Sequence, residues 1–565
     1  MTKPRELSSY PNPNSIDGSR IVDASIDYSK LAPNVFGGGA AINVKSFGVV
    51  GNGSDDDTEN IQLAFDSISE YETLVFPNGE YRTNGCITIT TPNIGVIFNG
   101  CTFLVGDTGT AGIYLNGGVA KTGFLFQQAH GCHIIGSATF IGQGTPGSPG
   151  TPGATSLLGM AWDNCDDVNC PAFMRFERMA IGRLMQNCTR GSWGDVQGDT
   201  LWGVQPFDPS GPGNAGTLED FIGCSFCSFG NAVGYNVDKP LRYLSVGTGA
   251  GNNEFCSFGS TTIYGRPGSN TAHALALRSA YYCQFGPVAA YDCTIAVYAI
   301  QYEPDSAWDL ANNTIESVVS ISASTNATDS VIQIDSLLTK DLGPLHIGMI
   351  DATVNGEFGI LMLRGTLTVG QATLKTGPLA ASNSRLIAVW SSDSTKTTRL
   401  SVDYLSIEDN GGVTPVNIGN GAAFLAKHID VVKGPNTAKT SPIKYENAYG
   451  PGSSFIRPII ESIRYTQNGS AENYLYVVFD GVNGFDAWSI GTVEGSGSSG
   501  VARFASDTFS IKNSRVLSSS IPTSGAYSPS AILWNSTPSG GGTPGWVCVV
   551  GGTPGTWKSM ANLSA

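Results

Sequence analysis

The chain has 565 residues, of which 72 are Gly and 29 Pro, and only 14% are charged, against about 25% in an average soluble protein. So few charges argue against long solvent-facing helices, which need Glu and Lys, and glycine without a period of three excludes a collagen-like rod. The net charge of −15 repels phosphate backbones, so nucleic acid is not expected as a partner, and an anionic partner would need a local basic patch.

Residues 1–40 are polar, rich in Pro, Gly and Ser, and end near Gly37-Gly38-Gly39. They read as an attachment arm with a hinge. Met1 to Arg20 hold no apolar stretch of the kind a secretory signal needs, and no run of 18 apolar residues occurs, so neither a signal peptide nor membrane insertion is expected. Next come Asp55-Asp56-Asp57-Thr58-Glu59, with Ile61, Phe65 and Ile68 following at helical spacing. Asp57 or Thr58 suits the N-cap, and acidic residues suit the first turn. The acidic run also matches a calcium loop, but a capping helix accounts for all of it.

Cysteines then recur in similar company: Asn99-Gly100-Cys101, His130-Gly131-Cys132, Gln186-Asn187-Cys188, Ile222-Gly223-Cys224, Glu254-Phe255-Cys256 and Tyr281-Tyr282-Cys283. With Cys165 included, the steps from Cys101 to Cys283 are 31, 33, 23, 36, 32 and 27 residues. An imperfect repeat of short strands and Gly/Asn turns at that period is a solenoid signature. Helical repeats would show amphipathic runs, and none appears after residue 70. The expectation is an all-β chain wound as a parallel β-helix over about 41–518. Further on, Leu405, Ile429, Ile459, Ile490 and Ile511 extend the texture at steps of 24, 30, 31 and 21. The 12 Cys include a single Cys-x-x-C, Cys224/Cys227, and the five His lack zinc spacing. They are expected as small buried residues, with no metal and no cofactor. Residues 519–565 carry two Thr-Pro-Gly turns ten residues apart, read as a small β-rich module presenting Trp546 and Trp557.

Hydrolysis of a polysaccharide needs two carboxylates, one of them the acid. The densest cluster is Glu303, Asp305 and Asp309, beside Tyr302 and Trp308 and preceded by Tyr291 and Tyr298. Aromatic rings there would stack on the C–H faces of sugars. The competing reading is a solvated turn at Pro304. A second cluster is Asp195 and Asp199 between Trp193 and Trp202, with Glu219 and Asp220 about one coil later. Here the competing reading is a Gly-rich loop whose Asp residues cap turns. A lyase would instead need a uronate substrate, a cation and a base, for which Arg242, Arg266, Arg278 and His273 are available. A groove that binds glycan without cleaving it is the third possibility.

The stretch from Val44-Lys45-Ser46-Phe47-Gly48 to Thr58, Ile61 and Gln62, continued by Leu74-Val75-Phe76-Pro77-Asn78-Gly79-Glu80-Tyr81, resembles the opening signature of the pectate-lyase-like β-helix superfamily. The resemblance implies a right-handed parallel β-helix and carbohydrate-active chemistry. It implies no catalytic residue, because the signature belongs to the scaffold. The C-terminal turns with Trp546 and Trp557 resemble the ends of bacteriophage tail spikes that depolymerise capsule or O-antigen. That likeness implies a homotrimer on a virion, with a bacterial capsular polysaccharide or lipopolysaccharide O-antigen as substrate. The N-terminal arm would then bind a phage tail or adaptor protein.

Overall fold

The computed structural model describes residues 41–106, 113–115, 118–143, 157–201, 203–204, 214–237, 239–245, 251–266, 272–301, 310–321, 330–336, 343–378, 380, 385–391, 398–410, 415–419, 421–434, 443–446, 459–467, 474–480, 489–496, 501–504, 517–524 and 527–561. The arm expected over 1–40 lies outside them. The chain divides into two compact units, Met1–Arg503 and Phe504–Ala565.

In the first unit, coil follows coil in register. One coil runs through Ser192–Trp193, Val196–Asp199 and Thr217–Ile222, and the next through Ser228–Phe229, Ala232–Val237 and Arg242–Ser245. The first two stretches of each coil belong to one long sheet and the third to a second sheet. Each stretch pairs in parallel with its counterpart one coil on, Trp193 with Phe229, Val196 with Ala232, Glu219 with Arg242. From Asn313 onward the first two stretches merge into longer strands, Asn313–Ile321, Pro344–Val354 and Thr366–Thr376. Parallel strands joined by crossovers wind right-handed, and the result is the right-handed parallel β-helix the sequence predicts.

Inward positions form columns along the winding direction. Tyr81, Phe103, Phe140 and Phe176 occupy one register. Their ring centroids follow at 5.4, 5.0 and 5.2 Å, with planes within 28° of each other. A second column runs Trp193, Phe229, Phe258, Phe285 at 5.0, 4.9 and 4.7 Å. The strand spacing of about 4.8 Å sets this repeat, and each stacked pair adds about 0.5–1.5 kcal/mol beyond its buried area. Ile315 and Ile347 continue the second column once the aromatics stop.

The cysteines also fill columns, though not at the spacings read from the sequence. Asp166, Thr189, Ser225, Glu254 and Tyr281 pair in turn at one corner. Cys165, Cys188 and Cys224 therefore share a register that Asn253 continues, whereas Cys227, Cys256 and Cys283 form the neighbouring column. The Cys-x-x-C thus spans the end of one column and the thiol start of another. Each thiol donates to a carbonyl of the preceding coil: Cys188 Sγ to Trp162 O at 3.6 Å, Cys224 Sγ to Met185 O at 3.4 Å, Cys256 Sγ to Cys224 O at 3.4 Å. Asn253 is fully buried, accepts from Cys224 N and donates to Phe221 O and Ser279 O. All twelve cysteines are free, and all but Cys86 are buried.

The predicted capping helix spans Thr58–Ser67 and buries Ile61 and Phe65. Asp57 is its N-cap residue, yet the Asp57 carboxylate turns away and accepts from Val50 N and Gly51 N at 2.6 and 2.9 Å. The Asp56 carboxylate accepts from Thr58 N and Asn84 Nδ2 instead. Backbone and amide donors thus satisfy the Asp56 and Asp57 carboxylates.

Three expectations need correction. Leu405 does pair with Ile429, but Ile429 pairs with Ile463 and Ile463 with Val493. Ile459 faces solvent at 43% exposure, because the corner at Glu461 and Ser462 breaks the period-two alternation and leaves Ile460 and Ile463 as the inward residues. Leu517, taken as the end of the winding, pairs with Trp534 in a separate four-stranded sheet of the second unit. Trp546 and Trp557 are not presented to solvent: they are 7% and 9% exposed and pack with Leu533 and Cys548. A module this small has few other side chains large enough to make a core.

Two outcomes are expected. Phe140→Ala should cost about 3–5 kcal/mol, read as a lowered denaturant midpoint. A thiol reagent should modify no more than Cys86 in the native protein and all twelve cysteines once it is unfolded, because the other eleven are buried out of its reach, and at Cys165 and Cys170 burial also raises the thiol pKa to about 12.

Candidate functional site

The second sheet is buried on both faces. Its inward column reads Met160, Arg183, Glu219, Arg242, Leu275, Val297 and Ile332. The neighbouring outward column reads Ala161, Leu184, Asp220, Tyr243, Ala276, Tyr298 and Gln333 over the same pairings. Over the early coils the outer face is apolar, with Leu158, Leu184 and Ile222 packed together. At Asp220 the apolar face gives way to polar and aromatic groups.

Asp220 is 2% exposed. Ser245 Oγ donates to its Oδ1 at 2.6 Å. Burial pushes its pKa up to about 7, against the Ser245 hydroxyl, the Arg278 charge and the Phe221 N–H, which favour the ionised form. The Arg278 guanidinium lies over the Tyr243 ring, 5.3 Å from its centroid. In the outward column the alternative to Ala276 would be a bulkier side chain between Tyr243 and Tyr298. Asp163 lies on the same face two coils back, in the column of Gln186, Ile222 and Ser245. The strand spacings put its Cα about 12 Å from that of Asp220. Burial raises its pKa as well, opposed by Gln127 and Asn164. A carboxyl held near neutrality next to an aromatic surface can give a proton to a leaving oxygen at ordinary pH.

Glu219 precedes Asp220 on the strand and therefore points inward. It is fully buried and accepts from Arg183 Nε at 2.8 Å and Arg242 Nε at 2.6 Å. Burial alone would raise its pKa, but the two guanidiniums hold it below the usual carboxylate range.

The first-choice cluster, Tyr302, Glu303, Asp305, Trp308 and Asp309, lies outside the described residues, as does Trp202. The strand before that cluster, Ile295–Gln301, is three strands along the second sheet from Asp220. Tyr298 stands half-buried on that strand, 5.1 Å from the His273 ring. Tyr291 is not its neighbour. It continues a surface column with Tyr264 and Tyr235 on the first sheet, centroids 5.0 and 5.1 Å apart.

The second cluster does not come together as a site. Trp193 is 2% exposed, its face taken by Phe229 and its edge by Trp162, so the ring is core and offers no surface to a sugar. Asp195 is exposed and accepts from Asn231 N at 2.8 Å. Asn231 in turn accepts from Ser260 N at 2.9 Å. Asp195 thus starts a corner ladder, the turn-capping role that its Gly-rich surroundings suggest. Asp199 accepts from Asn236 Nδ2 at 3.2 Å and lies 3.7 Å from Arg175. Four residues of strand separate the two carboxylates by about 13 Å, beyond the roughly 6.5–9.5 Å of an inverting pair.

Two of the four groups named for a lyase are also placed elsewhere in role. Arg242 is internal. His273 is held neutral, its pKa pushed down to about 3 by burial and by the Lys239 charge. Among the described residues no group of three or more His, Cys, Asp or Glu is disposed to hold a metal ion.

No family model matches the chain, and no curated protein matches it. Solved structures with similar winding include the tailspike protein of E. coli bacteriophage HK620, at 11% identity, a TM-score of 0.42 and 78% of either chain covered. Another form of that tailspike was solved in complex with a pentasaccharide. PfbA, a surface adhesin of Streptococcus pneumoniae, overlaps 92% of this chain and 100% of its own at 11% identity and a TM-score of 0.31. The family 28 exopolygalacturonase of Yersinia enterocolitica overlaps 80% and 78% at 10% identity and a TM-score of 0.28. The strand ladder itself establishes the parallel β-helix, and these overlaps carry no residue roles across.

Asp220 has a measurable signature without any substrate. Its folded-state pKa is raised, so its contribution to stability is full below about pH 4 and is lost as pH rises through about 7. The loss amounts to about 4 kcal/mol. Asp220→Asn should remove this slope between pH 4 and 7 in denaturant titrations, and an unchanged slope would place the raised pKa elsewhere.

Proposed function

We propose that the chain is a bacteriophage tail spike that binds and depolymerises a bacterial surface polysaccharide, capsule or O-antigen, by endo-glycosidic hydrolysis. The observation that carries the reading is Asp220, a carboxyl held near neutrality on the outer face of the second sheet, with Ser245, Tyr243 and Arg278 around it. Protonated Asp220 gives its proton to the glycosidic oxygen as the bond to C1 breaks. A second carboxylate then takes a proton from the water that attacks C1, or attacks C1 itself. Glu303, Asp305 and Asp309 belong to the proposal as carboxylates on the segment that follows Ile295–Gln301 of the same sheet, with Tyr302, Trp308 and Tyr298 as sugar contacts.

The remaining parts of the reading rest on the resemblance to tail spikes. Residues 1–40 attach the chain to a phage tail or adaptor protein, and the chain works as a homotrimer on the virion. The second unit serves assembly or glycan contact. Exposed aromatic side chains on the winding, such as Phe226 at 62%, favour burial against further copies.

Asp220→Asn should lower the cleavage rate by about 10²–10⁴-fold and leave glycan binding in place. Asp163→Asn, Glu303→Gln, Asp305→Asn and Asp309→Asn identify the second carboxylate in the same assay. New reducing ends without an unsaturated uronate chromophore support hydrolysis. The chromophore would mark a lyase, and binding with neither product would mark an adhesin. Sedimentation of the full chain at micromolar concentration should give a trimer, and a monomer there would overturn that part.

A further inference from the structure

Three charged side chains interrupt an otherwise apolar inward column. Met160 precedes them, and Leu275, Val297, Ile332 and Ile360 follow in the same register. Arg183, Glu219 and Arg242 are each 0% exposed. Their partners are few and fixed. Glu219 Oε1 accepts from Arg183 Nε and Nη2 at 2.8 and 2.5 Å, and Oε2 accepts from Arg242 Nε at 2.6 Å. Both guanidiniums then reach across the coil to corner carbonyls. Arg183 Nη2 donates to Gly194 O at 2.9 Å, and Arg242 donates to Gly230 O and, at 2.8 Å, to Gly259 O. Arg183 Nη1 is buried without a hydrogen-bond partner.

Stability does not explain the arrangement. Two cations and one anion inside an apolar column incur the desolvation of all three, and apolar side chains of like volume usually do as well or better. An orphaned guanidinium N–H adds to the cost. Position does explain it. The middle member, Glu219, is the residue next to Asp220, and the flanking members sit on the strands of Leu184 and Tyr243, the two neighbours of Asp220 in the outward column. A planar fork bonded on both sides tolerates little sliding, unlike Leu on Val. The network also ties these three strands to the corners at Gly194, Gly230 and Gly259, on the far wall of the coil.

We propose that Arg183, Glu219 and Arg242 form a positioning network for the candidate site, an internal strut that locks the strand of Asp220 against its neighbours. The proposal rests on the reading of Asp220 as the acid. None of the three touches substrate. They act through the strand, by holding the Asp220 carboxyl against the Ser245 hydroxyl and the Arg278–Tyr243 pair.

The test replaces the network with apolar side chains in the full-length protein, Arg183→Met with Glu219→Leu and Arg242→Met. The variant should fold with a Tm at or above that of the wild type. Its kcat should fall by about tenfold or more with KM nearly unchanged, since the lost interaction acts on the transition state. The titration midpoint of Asp220 should move by at least about half a unit, read from the pH dependence of stability with and without Asp220→Asn. Val297→Ala, in the same column, should lower Tm without moving that midpoint. Wild-type kcat together with an unmoved midpoint overturns the proposal, and so does a midpoint that moves equally in Val297→Ala. Should the triple variant not fold, Arg242→Lys keeps the charge, loses the fork to Gly230 and Gly259, and is judged by the same two readouts. Full activity in Asp220→Asn alone would overturn the acid role, and the midpoint, which needs no substrate, would still decide the positioning role.

Discussion

Everything in the first unit depends on stacking parallel strands in register at one fixed spacing. A side chain at a given inward position meets its counterpart one coil on at about 4.8 Å, whatever the residue. That distance suits flat rings face to face, and the columns of Phe103, Phe140 and Phe176 and of Trp193, Phe229, Phe258 and Phe285 use it. It also lets a thiol reach the carbonyl of the coil before, so cysteine serves at the corners as a small apolar side chain with a weak donor. Asparagine serves where more is needed. Asn253 and Asn313 each accept from a corner N–H and donate to a carbonyl from a buried position.

The same regularity makes departures from it informative. On a scaffold that repeats apolar choices, an acid appearing in an outward column after Leu184 and three charges appearing in an inward column are local exceptions. They occur on the same strands, which is why Asp220 and the buried network are read together. The corner beside Thr189 and Ser225 holds a different kind of exception. Phe226, Phe255 and Tyr282 adopt left-handed backbone conformations with φ of 56°, 52° and 53°, which bulky residues rarely accept. Their rings stack at 5.1 and 5.3 Å within 7°, and that contact offsets part of the backbone cost.

Much of the winding was legible because its causes are local and repeated. Short strands between Gly and Asn turns, recurring Cys, and a helix with Ile61, Phe65 and Ile68 on one face all announce themselves in sequence. Register was not legible. Cys224 and Cys256 have similar neighbours, yet Asn253 lies beside Cys224, and no single coil shows which of two nearby positions stacks on the next. The site was legible in part. Glu219 and Asp220 stood out as adjacent carboxylates, and period two alone sends one inward and the other outward. That the outward one would be desolvated depends on Leu184, which comes from the neighbouring strand, as well as on Ile222 two residues along its own. Trp193 misled for the matching reason. A tryptophan beside two Asp reads as a sugar platform until the strand direction turns it into the core.

The long unbroken ladder also has a mechanical meaning. Each coil holds mainly to the coil before and the coil after it, and the pairing offsets near the middle are 23, 36, 29 and 27 residues, as from Asp166 to Thr189, Ser225, Glu254 and Tyr281. Pulled from its ends, such a chain has no single clasp to break. It would pay out one coil at a time, each releasing about 80–125 Å of extended backbone, so tension applied to one end is dissipated in steps while the coils farther along keep their shape.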